Sequence, residues 1–519
     1  AGTGQFKKTG AGIMTLFDTN WTNTGTTTIE EGTLKFGNGP AGVGNSSQIS
    51  IASGATFDMN NIGDTIGSLS GAGSVINGAN LTLNGNNGST ANFTGTYAGS
   101  GVLTKNGAGS QSLGGPNSFS SVTFSDGRIN VNHSNALGGG AIIVGTNADV
   151  LATSSGNTVL ANNITLNAAA LEVFANTGTT LKQTGTISGP GGLVRNDSGA
   201  GVVTLAGGNT FAGGVKVTSR GLVLGNMGAL GTGTLTVGDA VSPPANPIVI
   251  AAETSLSGAS AVGNAVVSNQ SFSVAGNNDL ELSGPISGSG GMTKIDGGVL
   301  TLSGANSSYS GATTVNGGTL LVNSSVGSGN VVVNANATLG GTGSIAGQVT
   351  VNSGGVLSPG ASIESLDVGP LTFNAGSSFT YEVDSTATLT LGADLMKVNG
   401  NLTFDTTGTG VSLNIADLAG VSTLLPQGTK FTLFSYAGAI SGTFAGYSDG
   451  STLIAGANAY VINYDDTTGG SNFGGGSYAN FVTITAVPEV SAFLAVGLVG
   501  LSSLGIGWLR KKRASADVA

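Results

Sequence analysis

Gly446-Tyr447-Ser448-Asp449-Gly450 has the spacing of a hydrolase nucleophile elbow. Such a serine needs a strained strand-to-helix turn and a histidine base. No helical pattern follows Ser448, and the single histidine, His133, stands more than 300 positions earlier. The five residues therefore read as a glycine turn. Gly37, Gly39 and Gly42 match a dinucleotide fingerprint, but Pro40 interrupts it and no helix follows. Adjacent carboxylates occur at Glu30-Glu31 and Asp465-Asp466. Consecutive strand side chains leave opposite faces, so neither pair makes a hydrolytic site by itself. One histidine and no cysteine exclude metal sites that need two imidazoles or thiolates, and no disulfide framework exists. No catalytic residue, metal ligand or cofactor is assigned.

The elements that would position any such residue are set by an unusual composition. Glycine supplies 92 of 519 residues, and only 8% are charged. Between the glycines stand Asn, Thr, Ser, Val, Leu and Ile, a mixture suited to strands and turns. Disorder is excluded as the state of the whole chain, because 39% of residues are hydrophobic and mean hydropathy is +0.24. Net charge is −10, and Arg128, Arg195 and Arg220 are the only arginines before the C-terminal tail. That leaves no basic field for a phosphate backbone, so nucleic acid is not a partner.

The chain repeats itself. Related segments begin at Gly10, Gly107, Gly199 and Gly297, the last reading GGVLTLSGANSSYSGATTVNGGTLLVN. Between them recurs a second phrase: SLSGAGSVI, TISGPGGLV from Thr186, and PISGSGGMT from Pro285. Within a unit, short alternating stretches such as Val299 to Leu302, Thr313 to Val315 and Thr319 to Val322 are punctuated by Gly, Asn and Ser. Strands so short need neighbours, so each turn must stack on the next and bury a column of Val, Leu and Ile along the axis. A coil of about 20 residues is expected. An array of all-β sandwiches is the structural rival, since its strands recur at similar spacing.

Thr301 to Asn323, with the following Gly329 to Ser362, resembles the autotransporter-associated β-strand repeat. The resemblance implies a β-helical passenger domain. A complete autotransporter would also carry a terminal barrel of alternating strands, for which this chain leaves no stretch. After Pro359 glycine pairs thin out and aromatics increase, with strand-like stretches at Phe379 to Val383, Phe431 to Tyr436 and Phe481 to Thr485.

The tail is different again. From Ala492 to Leu509 run 18 uncharged residues, long enough as a helix for the hydrocarbon thickness of a bilayer. Arg510, Lys511, Lys512 and Arg513 follow, a cytoplasmic basic stop under the positive-inside rule. Val487-Pro488-Glu489 precedes the span, and the three parts together resemble the PEP-CTERM sorting signal, although Val490 stands where that family has a second proline. The resemblance implies an exosortase-type membrane protease as partner, the inner membrane during sorting, and then delivery to the cell envelope or extracellular matrix. The chain starts Ala-Gly-Thr-Gly, inside a repeat and without an initiator Met, and reads as a fragment or processed chain.

The expected fold is all-β: a right-handed parallel β-helix (solenoid) over 1–362, a β-rich cap over 363–486, and a sorting signal over 487–513 with one transmembrane helix at 490–509. A short polar tail, 514–519, ends the chain. The expected function is an exported bacterial cell-surface or extracellular-matrix structural protein, of adhesin type, facing polysaccharide or other cells and without enzymatic activity. Two alternatives stay open: a β-helical polysaccharide lyase or hydrolase whose carboxylates converge from different coils, and a permanently anchored membrane protein.

Overall fold

The structure, a computed structural model, describes residues 4–488 apart from 18–23, 39–42, 44–47, 86–89, 146–148, 168–169, 197–198, 242–245, 306, 361–362, 387–391, 420–422 and 477. The expected transmembrane helix at 490–509 lies outside the described residues. Among the described residues no helix is long and apolar enough to cross a membrane, and the helical structure is one 3-10 turn, Gly258–Ser260. Contacts divide the chain into two units, Ala1–Gly311 and Ala312–Ala519.

In the first unit, a 14-stranded parallel sheet runs from Phe6–Lys8 through Thr27–Ile29 and Gln48–Ile51 to Ile286–Ser287. Phe6 faces Thr27, Thr27 faces Ile49 and Ile49 faces Leu69. Each coil therefore takes about 20 residues, and the strands of successive coils lie side by side. A 7-stranded sheet from Asp64–Ile66 to Ile187–Ser188 and a 5-stranded sheet from Ile13–Leu16 to Thr96–Gly99 build further faces by the same parallel pairing. Parallel register between neighbouring coils is what a solenoid requires, and it excludes the antiparallel hairpins of a sandwich array.

Alternation decides what is buried. In Thr33–Phe36 the side chains of Leu34 and Phe36 point inward while Thr33 and Lys35 point out, and Phe36 meets Phe57 of the next coil edge-on at 5.0 Å. The inward column of the long sheet passes through Ile49, Leu69, Ala91, Gln111, Ile129 and Leu151. Gln111 is polar yet only 1% exposed. Ala91 is small enough for the amide to reach Leu69, whose backbone N–H it accepts at 3.1 Å and whose carbonyl it donates to at 2.8 Å. A buried polar group so paired carries little of the desolvation cost of an orphan.

Part of the glycine content follows from the same stacking. A Cβ built on Gly95 would run into the carbonyl oxygen of Gly73, and one built on Gly115 into that of Gly95. At this corner three coils rest backbone on backbone, so no larger residue fits without moving a coil.

The second unit repeats the principle and then ends it. Thr313–Val315, Val331–Val333, Val349–Val351, Leu371–Phe373, Leu402–Phe404 and Ile440–Ser441 form one parallel face, so coils continue through Ser441. At the corner of these coils asparagines form a ladder. Asn334 donates its amide to Asn316 at 2.6 Å, Asn352 to Asn334 at 2.7 Å, and Asn374 to Asn352 at 2.7 Å. The aromatic residues beyond Pro359 fill the interior, with Phe373 stacked on Phe404 at 5.4 Å and Phe379 against Phe434 at 4.5 Å. Lys430–Tyr436 pairs in parallel with Leu395–Val398 on one side and antiparallel with Asn480–Val487 on the other. Asn458–Asp466 and Thr452–Ala455 complete this mixed sheet, which covers the strand edge that an unfinished solenoid would leave open.

Asp394 sits fully buried in this unit, its two carboxylate oxygens accepting the backbone N–H groups of Glu364 at 3.1 Å and Glu382 at 2.9 Å. Burial pushes its pKa up to about 7 against those two hydrogen bonds, with the carboxylates of Glu382 and Glu364 adding to the rise. In the unfolded chain the group returns to about 3.9. The folded state thus binds the extra proton, and this stabilising contribution is complete below pH ~4 and lost as pH rises through ~7. Thermal unfolding followed from pH 4 to 8 should show that decline, and Asp394→Asn should flatten it; an unchanged slope in the variant would show that another group titrates.

Candidate functional site: a polar groove on the outer face of the solenoid

The candidate residues of the sequence do not assemble into a catalytic centre. Ser448 is exposed in a turn whose flanking glycines, Gly446 and Gly450, adopt φ of +79° and +75°. Its Oγ lies 3.0 Å from Ser451 Oγ, and Asp449 accepts the backbone N–H of Tyr464 at 2.9 Å. The glycine spacing is thus explained by left-handed backbone, which glycine adopts without strain. His133 belongs to the first unit, where Nδ1 accepts the N–H of Asn135 at 3.0 Å in a local turn. Glu30 pairs with Lys7 at 2.7 Å and Asp466 with Lys430 at 2.7 Å. Partial burial opposes ionisation of Asp466, but hydrogen bonds from Lys430, Thr468 and Thr483 outweigh it and hold the carboxyl at about 2. Among the described residues no three His, Cys, Asp or Glu side chains are placed to hold a metal ion. Gly39, Pro40, Gly42, Glu489, Arg510, Lys511, Lys512 and Arg513 lie outside the described residues. Val487 ends the last strand and Pro488 is exposed.

Sequence reasoning missed four cations. Lys8, Lys105, Arg195 and Lys294 stand at the same place in the four repeat units, just before the glycine turn, and are 5%, 2%, 0% and 2% exposed. Each turns inward and donates to carbonyls of the turn. Lys8 Nζ reaches the carbonyl oxygens of Thr9 at 2.9 Å, Gly10 at 2.6 Å and Glu31 at 3.0 Å. Lys105 Nζ reaches Gly107 and, at 3.2 Å, Asp126; Lys294 Nζ reaches Ile295 at 2.6 Å and Asp296 at 2.8 Å. Arg195 does the same through Nη2 to Gly201 at 3.0 Å. Because Lys8 and Lys105 also reach carbonyls one coil further on, they tie adjacent coils. The available signal was a basic residue recurring at one repeat position in a chain otherwise poor in charge.

A groove opens on the outer face of the 14-stranded sheet. Arg128 aligns with Val150 and Val150 with Glu172; in the next outward column Asn130 aligns with Ala152 and Ala152 with Phe174. The coil carrying Val150 and Ala152 is low, so the longer side chains above and below it meet across it. The Arg128 guanidinium lies 4.0 Å over the ring centroid of Phe174, which is why this outward aromatic is 7% exposed. Arg128 Nε donates to Asn130 Oδ1 at 2.6 Å, fixing the guanidinium plane. With Glu172, Ser154, Asn176, Thr177, Asn196 and Gly199, Arg128 and Phe174 line an open cavity of ≈ 700 Å³. A different outward column carries no charge: Thr65, Thr82, Thr104, Thr123, Ile143, Thr165 and Ser188 align on seven successive coils of the 7-stranded sheet.

Long tandem units, parallel coils and a polar outer surface define a repeat β-solenoid. Residues 6–36, 103–131, 197–221 and 292–322 match the passenger-associated-transport-repeat family, and three of these segments contain Lys8, Lys105 and Lys294. Over 261 residues the chain is 30% identical to the adhesin BmaC autotransporter of Brucella suis biovar 1 (strain 1330), a match that takes in 45% of this chain and 7% of that adhesin. The chain thus carries segments that match the passenger-associated-transport repeat and is similar, over part of its length, to an autotransporter adhesin.

Replacing Lys105 by Met keeps the stem but leaves turn carbonyls without their donor, a loss of about 1–3 kcal/mol. The variant should unfold at lower temperature, whereas Lys7→Ala, on the exposed side of the same repeat position's strand, should leave the Tm in place. Equal effects of the two changes in calorimetry would contradict the structural role of the buried cations.

Proposed function

We propose that the protein is an exported, non-enzymatic surface or matrix solenoid of adhesin type. The observation that carries this reading is the stacking of four transport-repeat segments into parallel coils, joined to the similarity with an autotransporter adhesin over part of the chain. Its outer faces offer hydroxyl and amide groups in rows, at the roughly 4.8 Å spacing of adjacent strands. Such rows suit contact with an extended polymer or another cell surface. The separate, hydrogen-bonded placement of Ser448, His133 and the paired carboxylates supports a binding rather than a catalytic role.

The tail supplies the address in this reading. Val487, Pro488 and Glu489 form the processing motif of a PEP-CTERM-type signal, the apolar stretch inserts into the inner membrane, and Arg510 to Arg513 hold the C-terminus in the cytoplasm. A strand that ends at Val487 and an exposed Pro488 support a junction open to an exosortase-type protease. Changing Pro488 and Glu489 to Ala should leave insertion intact and block processing, so the uncleaved chain accumulates in the inner membrane. Neutralising the four cations should instead impair retention of the C-terminus, since the charge bias that orients the span is gone. Fractionation with intact-mass measurement, in a bacterial host that has the matching protease, separates the steps. A wild-type chain that keeps Ala519 and stays in the membrane would mark the tail as a permanent anchor.

A further inference from the structure

We propose that the groove between Arg128, Glu172 and Asn196 binds a neutral pyranose residue of a glycan. Its cavity of ≈ 700 Å³ falls in the range of small-molecule sites, large enough for one or two sugar rings. Its lining is hydroxyl, amide, carboxylate and guanidinium, and its one aromatic ring is covered by Arg128. A peptide anchor would need an apolar pocket at that point, which the arginine closes.

Charge selects against ionic ligands. Among the described residues of the lining, Arg128 and Glu172 are the charged side chains, of opposite sign and two coils apart in one outward column. An anionic sugar gains at Arg128 what it loses at Glu172, and a cationic one the reverse. A neutral sugar uses both: the carboxylate accepts from neighbouring hydroxyls, and the guanidinium, seated over Phe174, presents its other side to the ring C–H groups.

The lining is held in place by hydrogen bonds within its own coils and to adjacent ones. Arg128 is fixed by Asn130 at 2.6 Å, Ser154 Oγ donates to Asn132 at 3.1 Å, and Asn196 accepts from Thr218 Oγ1 at 2.7 Å. Thr177 Oγ1 accepts the N–H of Ala200 at 3.2 Å. Side chains already ordered lose little entropy when a ligand docks, which favours binding of a small polar molecule.

This inference rests on the surface-display reading only for where a glycan is met; binding by the purified chain stands apart from it. The test is saturation-transfer NMR titration of the full chain with methyl glucoside, methyl galactoside, methyl N-acetylglucosaminide, and the charged methyl glucuronide and glucosamine. At least one neutral pyranoside should bind saturably and better than both charged sugars. Glu172→Gln and Arg128→Lys, the latter keeping charge and losing the planar guanidinium, should each weaken it at least fivefold. Asn176→Ala, in a surface turn, should weaken it too, and Ser448→Ala should not. Circular dichroism and Tm confirm folding. The proposal fails if no neutral pyranoside binds, if only charged sugars bind, or if the groove variants bind like the wild type, and surface localisation would stand in each case.

Discussion

Everything in this protein depends on one coil resting on the next. A strand of three or four residues cannot form a stable sheet alone, and its backbone N–H and C=O groups find partners only on the coils above and below. The interior is then a set of columns of like residues, and the corners are where the difficulty lies. A corner must reverse the chain direction and still let the next coil approach. The structure meets this in three ways: glycines that let backbones touch, as at Gly73, Gly95 and Gly115; asparagines that bond to each other in a ladder, as from Asn316 to Asn374; and inward cations that collect turn carbonyls, as at Lys8, Lys105, Arg195 and Lys294.

The same constraint places function on the outside. Inward positions are committed to columns, so variation in chemistry is confined to outward positions and turns, where it costs the stack little. Two low residues on one coil, Val150 and Ala152, let Arg128 reach across them to Phe174, and the groove opens beside that contact. The charge-free column from Thr65 to Ser188 shows the opposite outcome, a flat face built by repeating nearly the same outward residue.

Much of this was legible in the sequence because its signals are local. Thr313 to Val315 and Val299 to Leu302 were marked by alternation and bounded by glycine, and they are strands with the expected limits. The rising aromatic content after Pro359 marked the ring cluster around Phe404 and Phe434, but parallel coils continue past the expected start of the cap at 363, through Ser441. What stayed hidden depends on register between residues about 20 positions apart. Nothing adjacent to Arg128 in the chain announces that it covers Phe174, since only the stacking of three coils brings them together. Lys105 is different: a lysine in a strand is expected outside, and only the recurrence of a basic residue at one repeat position points to its burial against turn carbonyls. Gln111 is hidden in the same way, its place in an apolar column depending on the small Ala91 beside it.

The central claim, parallel stacking in this register, can be tested without background because the chain has no cysteine. Thr104 and Thr123 face outward in register on adjacent coils, while Thr65 and Thr104 lie two coils apart in the same column. Adjacent parallel strands are about 4.8 Å apart, within disulfide reach, and twice that spacing is outside it. The account predicts that mild oxidation crosslinks the Thr104→Cys/Thr123→Cys chain rapidly and leaves Thr65→Cys/Thr104→Cys reduced. Equal crosslinking of the two pairs, or none in the adjacent pair of a folded chain, would contradict it.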